Sequence, residues 1–589
     1  MTNPARAVLP LILVACSLTG WAEEKVAAPN ADSIPWGIAS SSSSIRNHSA
    51  WFPKMAAAGI PWARMFPEWR NVEPVEGKWK WDSLDAMLKT AAEQKIEINA
   101  ILMGSTPWLK GGIHAFPIQT LPEWSAFVAA VVERYKNQIH YWEVWNEGNA
   151  GFNDDHNSTA DYAGLVAATY AAAKKADPNA QIGMTVASYD APYLNQACIA
   201  LAKAGQANNF DYLCIHPYEV VDSILDPNGE LPFLWMSRLL RDMLKANAPE
   251  RANADIWISE VGKRVEKRNG AAITEADSAK SLVKIYTMAL AQGIKRTLWF
   301  EAQDPVGEDQ GFGLLNRDGS PRASYGTFKI MTGLLGATPK YLGWLALGAG
   351  GRGYGFVFQG ATGPVLAAWM PAGETDKTVT FAGDVQVIDV LSGAAAPLKT
   401  GEPFPLSETP VFATGLPADQ IALASANAAK NFPWGGDFSA AAAVGIQLGA
   451  PNGSSGVFPV GQKSIQAHTF PDGSTGIKID ANQTMSFFVH PSFADSNTSE
   501  YYVRLTLRRI GAGNVGMNFN YEVADSKGRS PYKSSGEWYS LPDGAEWQTQ
   551  TWHLTGACLS KMWGYDFNFR PEKSVPFVIG KVEVGKAPF

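Results

Sequence analysis

Residues 139–149 read Ile139-His140-Tyr141-Trp142-Glu143-Val144-Trp145-Asn146-Glu147-Gly148-Asn149. An aromatic and β-branched run ends on Asn and Glu and passes into a glycine-containing loop, as expected of a buried strand with polar groups at its C-terminal end. A second stretch repeats the pattern: Ile256-Trp257-Ile258-Ser259-Glu260-Val261-Gly262. From about residue 34 to 336, such β-rich runs alternate with amphipathic helical stretches, which predicts a parallel sheet with helical crossovers. Eight strand candidates can be counted, at 36–40, 62–66, 96–103, 139–145, 181–186, 210–216, 255–259 and 297–300. Helical segments between them include 83–94, 125–135, 162–175, 234–246 and 279–292. Eight β-then-α units over roughly 300 residues predict an α/β fold, a (β/α)8 TIM barrel spanning 34–336. A doubly wound open sheet is the alternative, but no Gly-rich phosphate loop follows the first strand.

The chain has 589 residues, too many for one core. After residue 337 the helical period gives way to Gly-punctuated β runs, predicting a β-sandwich over 337–416 attached to the barrel. An Ala-rich, polar stretch at 417–431 reads as a linker. Residues 432–589 read as a second all-β unit, a jelly-roll-like sandwich. At the other end, residues 1–22 have the pattern of a signal peptide, with Arg6, an apolar stretch and small residues after it. This predicts export, to the periplasm or the medium. Leu13-Val14-Ala15-Cys16 also resembles a bacterial lipobox, which would lipidate Cys16 and hold the protein at an outer surface. The stretch is too short to span a bilayer, and no later segment is apolar enough to do so.

A formal net charge of −7 provides no basic stripe for phosphates, so nucleic acid is not an expected partner. The 21 Trp, 18 Tyr and 27 Phe suit sugar rings, whose apolar faces stack on indoles, and equally suit the cores of β-sandwiches. Cys198, Cys214 and Cys558 are too scattered for a disulfide framework or a Cys metal site. The histidines lack the i, i+4 spacing of a zinc helix, and no Gly-x-Ser-x-Gly elbow is present, so neither a metal nor a cofactor is expected.

In a TIM barrel the working residues sit where strands end. Glu147 ends the fourth strand and Glu260 the seventh, about three βα units further on. Two carboxylates facing each other across a barrel mouth can perform acid–nucleophile chemistry, one protonating a leaving oxygen while the other attacks. Either alone could be a loop salt bridge. Glu301 and Glu68, also near strand ends, are reserve carboxylates.

These motifs resemble clan A of the glycoside hydrolases, most closely family 39, over roughly residues 34–415. The resemblance implies that Glu147, in Trp145-Asn146-Glu147, is the acid/base, and that Glu260, in Trp257-Ile258-Ser259-Glu260, is the nucleophile. It further implies that Asn146 bonds the sugar 2-hydroxyl and that Arg64, in Trp62-Ala63-Arg64-Met65-Phe66, holds the nucleophile ionised. His216-Pro217-Tyr218 is similar to the clan pattern in which His or Tyr contacts the nucleophile side. Trp299, in Leu298-Trp299-Phe300-Glu301, looks like the aromatic floor of the sugar site. Trp108 reads equally as a subsite residue or as core packing. Arg64, His216 and Trp299 each have a second reading as structural residues. Gly148 departs from the Pro that many relatives carry after the acid/base Glu.

The implied activity is retaining hydrolysis of β-glycosidic bonds in an extracellular poly- or oligosaccharide. Alternatives are a noncatalytic glycan-binding protein on the same scaffold, and a transglycosylase using the same residues. The C-terminal unit, with Trp434, Trp538, Trp547, Trp552, Trp563, Tyr539 and Tyr565, resembles a carbohydrate-binding module of jelly-roll type. These aromatics read equally as core.

Overall fold

The computed structural model describes residues 31–589 apart from 269–270, 308–309, 451–452, 462–465, 482, 495–499, 524–530, 537 and 572–573. The expected signal peptide and Cys16 lie outside the described residues. Eight parallel strands close into a barrel: β1 (Trp36–Ala39), β2 (Trp62–Met65), β3 (Glu97–Leu102), β4 (Ile139–Val144), β5 (Gln181–Ala187), β6 (Tyr212–His216), β7 (Asp255–Val261) and β8 (Arg296–Phe300). Closure pairs β8 with β1, Trp36 opposite Thr297 and Ala39 opposite Phe300. Helices cover the outside, so the strands are buried on both faces and read as near-continuous apolar runs. The helices Thr159–Ala176 and Glu275–Ala291 both start at capping boxes, Ser158 with Asp161 and Thr274 with Asp277.

The barrel interior is filled in layers. At the bottom, the Arg296 guanidinium lies 3.6 Å from the centre of the Trp62 ring and 4.1 Å from that of Trp257, with Tyr141 and Tyr212 packed beside Trp257. Arg64 and Glu143 occupy the next layer, both fully buried. This plug leaves only the C-terminal end of the barrel open.

The second domain is a six-stranded antiparallel sheet in the order Lys340–Leu347, Gly353–Gln359, Pro364–Trp369, Val411–Thr414, Val385–Asp389, Ala395–Leu398. One face shares the barrel's core through Trp344, Tyr354, Phe356, Phe358 and Trp369. A buried Lys284–Glu230 ion pair at 2.7 Å lies at this junction, and the Trp369 indole N–H donates to the same carboxylate. The other face is covered in part by a helix, Ala418–Asn427, where the sequence suggested a linker. Alanine is the strongest helix former, so an Ala-rich stretch becomes a helix once a surface is available to bury Ala424. Asn427 ties its end to the sheet by donating to the Trp344 carbonyl at 3.1 Å.

The C-terminal unit is two facing antiparallel sheets around a separate core that includes Phe487, Phe519, Trp552 and Phe569. Trp552 stacks on Phe519 inside it, while Trp434 packs on Tyr354 and Phe356 of the second domain. Those two indoles are therefore core, whereas Trp538 is 43% exposed. Among the described residues, no helix is long and apolar enough to cross a membrane.

Candidate active site

The open end of the barrel is a cleft of about 840 Å³ lined by Asn146, Glu147, Tyr218, Glu260 and residues of all the neighbouring loops. The backbone at the end of β4 explains how two consecutive residues face it. Trp145 (φ 65°) and Glu147 (φ 48°) both adopt left-handed conformations, which interrupt the strand's alternation. The turn is held by the Trp145 amide donating to Leu102 O at 2.8 Å and by its indole donating to Phe152 O at 2.6 Å. Gly148 follows because a Cβ there would stand 2.6 Å from the Phe116 ring, which closes over this turn.

One oxygen of Glu147, one of Glu260 and a ring nitrogen of His216 all lie within 4.8 Å of one another. Arg64 organises the floor beneath them. Its Nη1 donates to Glu260 Oε2 at 2.8 Å, its Nε and Nη2 to Glu143, and its Nη2 also to Asn146 Oδ1 at 2.9 Å. The Tyr218 hydroxyl donates to the other Glu260 oxygen at 2.9 Å. His216 bridges Glu147, at 2.7 Å through Nδ1, and the Ser259 hydroxyl, at 3.1 Å through Nε2. Of the His and Tyr expected near the nucleophile, Tyr218 takes that place and His216 serves Glu147.

Glu143 is the functional-layer residue that sequence reasoning passed over. Fully buried, it also accepts from Asn99, from the Thr185 hydroxyl at 2.8 Å and from the Ser259 hydroxyl at 3.3 Å. Its signal was present: Glu143 shares the inward face of β4 with Tyr141, and a carboxylate there needs a buried cation. Burial pushes its carboxyl up, but the Arg64 charge and hydrogen bonds reverse this and hold it below the ordinary range. The same two carboxylates, Glu143 and Glu260, raise Arg64 against its own burial.

Burial also pushes the Glu260 carboxyl up, and the Glu147 charge pushes the same way, against the pull of His216, Arg64 and the Tyr218 hydroxyl. Glu147 is buried too, but its hydrogen bond to His216 and the charges of His216 and Arg64 draw it down.

Two aromatics take the structural one of their two readings and not the substrate-binding one. Trp299 is fully buried, its indole donating to Phe312 O at 3.2 Å, and it does not line the cleft. Side chains of a strand alternate: Arg296 points into the barrel, so Phe300 does too, and Trp299 faces away. Phe300 and Phe312 form the aromatic wall instead. Trp108 packs edge-on against Trp69 and donates to Glu73 O at 3.0 Å, also away from the cleft lining. Of the reserve carboxylates, Glu68 lines the cleft and accepts from Ser42 Oγ at 2.9 Å, while Glu301 is fully buried and accepts from Ser41 Oγ at 2.9 Å.

Glu147, His216 and Glu260 are also the one set among the described residues whose donors converge closely enough for a metal ion. Arg64 already neutralises Glu260, which disfavours a second cation there.

Residues 63–193 match the family model of glycosyl hydrolase family 10. The match runs from β2 past β5, so it includes Arg64, Asn146 and Glu147 and stops short of Glu260. The matched segment is part of the barrel and carries one member of the carboxylate pair. Among solved structures, the chain is similar to a family 39 glycoside hydrolase from the gut symbiont Bacteroides cellulosilyticus WH2, with 19% identity, 65% of this chain and 81% of that one covered, and a TM-score of 0.53. It is also similar to a monomeric β-xylosidase from Caulobacter crescentus CB15, with 16% identity, 65% and 95% covered, and a TM-score of 0.48. At such identities the likeness is one of fold. No curated protein matches the chain.

Proposed function

We propose that this protein is a clan A glycosidase that cleaves β-glycosidic bonds of an extracellular poly- or oligosaccharide with retention of configuration, by double displacement. The observation that carries this reading is the approach of one carboxylate oxygen of Glu147 to one of Glu260 within 4.8 Å. Retaining enzymes keep their carboxyl groups about 5–5.5 Å apart, whereas inverting ones leave about 6.5–9.5 Å for a water.

The hydrogen bonds, rather than the carboxyl shifts, support the division of roles: Glu260 is raised and Glu147 is lowered. Glu260, gripped by Arg64 and Tyr218 through different oxygens, is aimed and charge-compensated as a nucleophile for the anomeric carbon. Glu147, bonded to His216 at 2.7 Å, is the group assigned to protonate the leaving oxygen. As the C–O bond breaks, Glu147 gives up its proton and Glu260 forms the glycosyl ester. Glu147 then takes a proton from water, whose oxygen attacks the anomeric carbon and releases Glu260. Asn146, held by Arg64, borders the nucleophile and is placed to bond a sugar hydroxyl.

The sequence of residues 1–22 supports export, and Cys16 is the residue a lipid would occupy; mass spectrometry of the mature N-terminus tests both. For the chemistry, the purified mature protein is assayed on a panel of glycans and aryl β-glycosides, beside Glu260→Ala and Glu147→Ala with added azide. The expected result is turnover by the wild type and glycosyl azides of opposite anomeric configuration from the two variants. A wild type that binds a glycan and cleaves nothing across the panel would overturn the reading.

A further inference from the structure

The cleft is lined not only by the barrel. Met562 and Trp563, from the C-terminal sandwich more than 250 residues beyond β8, also line it. Trp563 is half-buried, with its ring 5.1 Å from that of Tyr532, so the indole is backed by a second aromatic while it borders the cavity. We propose that Trp563 is a substrate-contacting residue of the catalytic cleft, stacking on the sugar ring of the leaving group. The placement on the leaving-group side rests on the role of Glu147 proposed above.

The loop that carries Trp563 is built to hold one position. Glu522, fully buried in the sandwich, accepts from the backbone amides of Ser560 at 2.9 Å, Lys561 at 2.8 Å and Met562 at 3.3 Å, and from the Ser560 hydroxyl. Lys561, in the left-handed region at φ 63°, turns its ammonium back onto Leu559 O at 2.6 Å and Asp566 at 3.3 Å. Gly564 then lies so close to the barrel that a Cβ would stand 2.9 Å from Glu219 O. A braced loop in van der Waals contact with the barrel loses little further freedom when a ligand stacks on it.

The contact point decides which sugar. Glu219 lies just after β6, and its carboxylate accepts from Ser188 Oγ at 2.8 Å, just after β5. β6 also carries His216, the partner of Glu147. Tyr218 on the same loop reaches Glu260, but the Glu219–Ser188 bond turns this wall toward β5. β5 pairs with β4, and its Ala187 amide donates to Asn149 beside Glu147, so the wall lies on the Glu147 side. The Glu260 side is bounded instead by Gly262, Phe300 and Phe312. An indole beside the β6 loop meets the ring beyond the scissile oxygen, and an apolar sugar face is the surface it would cover. The sandwich then acts as part of the catalytic site, which a tethering module on a free linker would not.

The test uses the full chain, with Trp563→Ala and Trp563→Phe, on two substrates of the glycone found active in the panel. One is a β-linked disaccharide, the other the glycosyl fluoride, whose leaving group is too small to reach Trp563. Trp563→Ala is expected to lower kcat/KM on the disaccharide about tenfold. On the fluoride it should leave kcat/KM within about twofold, which also shows that the variant is folded, and Trp563→Phe should retain most of the disaccharide activity. Equal losses on both substrates, or none on either, would overturn the proposal. If the panel yields no active glycone, the glycosidase reading has failed, and titration calorimetry with the β-linked disaccharides of the panel still decides this one: weaker binding by Trp563→Ala supports it, and unchanged binding, or no binding of any of them by the wild type, overturns it.

Discussion

The barrel and the C-terminal sandwich each bury a glutamate completely, and they treat it in opposite ways. Glu143 in the barrel faces the Arg64 fork, and its carboxyl is held below the ordinary range. In the sandwich, Glu522 lies near Asp566, and burial together with that neighbour pushes it up to about 8, against the pull of Ser560 and Lys561. A cation shared with the reacting site serves the first. Backbone amides serve the second and fix a loop. A buried carboxylate therefore says that something is being positioned, and its partners say what.

The comparison is broken most severely at the carboxylates above Arg64. Glu260→Ala should lower kcat by at least about 10⁴-fold, the scale on which loss of a nucleophile is felt. Glu147→Ala should cost about 10²–10⁴-fold, more with poor leaving groups than with activated aryl ones, because only the former need the acid. Steady-state rates on paired substrates check both.

Next in size is Glu143→Ala, which leaves Arg64 buried without its main partner. A loss of about 3–5 kcal/mol in unfolding free energy by denaturant titration is expected, along with a misdirected Glu260 and lower kcat. A variant as stable and active as the wild type would remove the barrel half of the comparison.

The two glutamates should also give melting profiles that slope in opposite directions. The depressed Glu143 contributes stability that is present above the ordinary carboxyl value of 4.5 and is lost as pH falls through its folded value. The raised Glu522 contributes stability that is complete below that ordinary value and is lost as pH rises through about 8. Calorimetry across pH 3–9 should show the barrel weakening at the acid end and the sandwich at the alkaline end, with Glu522→Gln flattening the latter. The pH–rate profile adds a check on the site itself: since burial and Glu147 raise Glu260, the acid limb should fall above the ordinary glutamate range.

The smallest effect separates two neighbours on β8. Trp299→Phe should lower stability by about 1–3 kcal/mol with KM changed less than about twofold, since the ring is core. Phe300→Ala should raise KM, since that ring borders the cleft.

Much of this was legible before any folding. The eight strand–helix alternations and the two Glu-then-Gly strand ends follow from local composition and period, because a barrel strand buried on both faces must be apolar until it ends; Arg64 was singled out by the family resemblance. What the sequence hid depends on direction and on distance. Trp299 and Phe300 are consecutive aromatics, and only the register set by Arg296 inside the barrel decides which one points into the cleft. Residues 417–431 carried helix propensity, but a ten-residue helix is marginal alone and forms where the second domain offers a surface.

The sequence by itself determined the barrel, the order of its strands and which residues end them, since these rest on short-range patterns of burial and hydrogen bonding. Only the tertiary structure decided that Arg64 spans Glu143, Asn146 and Glu260, that His216 belongs to Glu147, and that Trp563 stands at the same cleft. Those contacts join residues from 69 to several hundred positions apart, and no local pattern records which distant side chains packing will bring together.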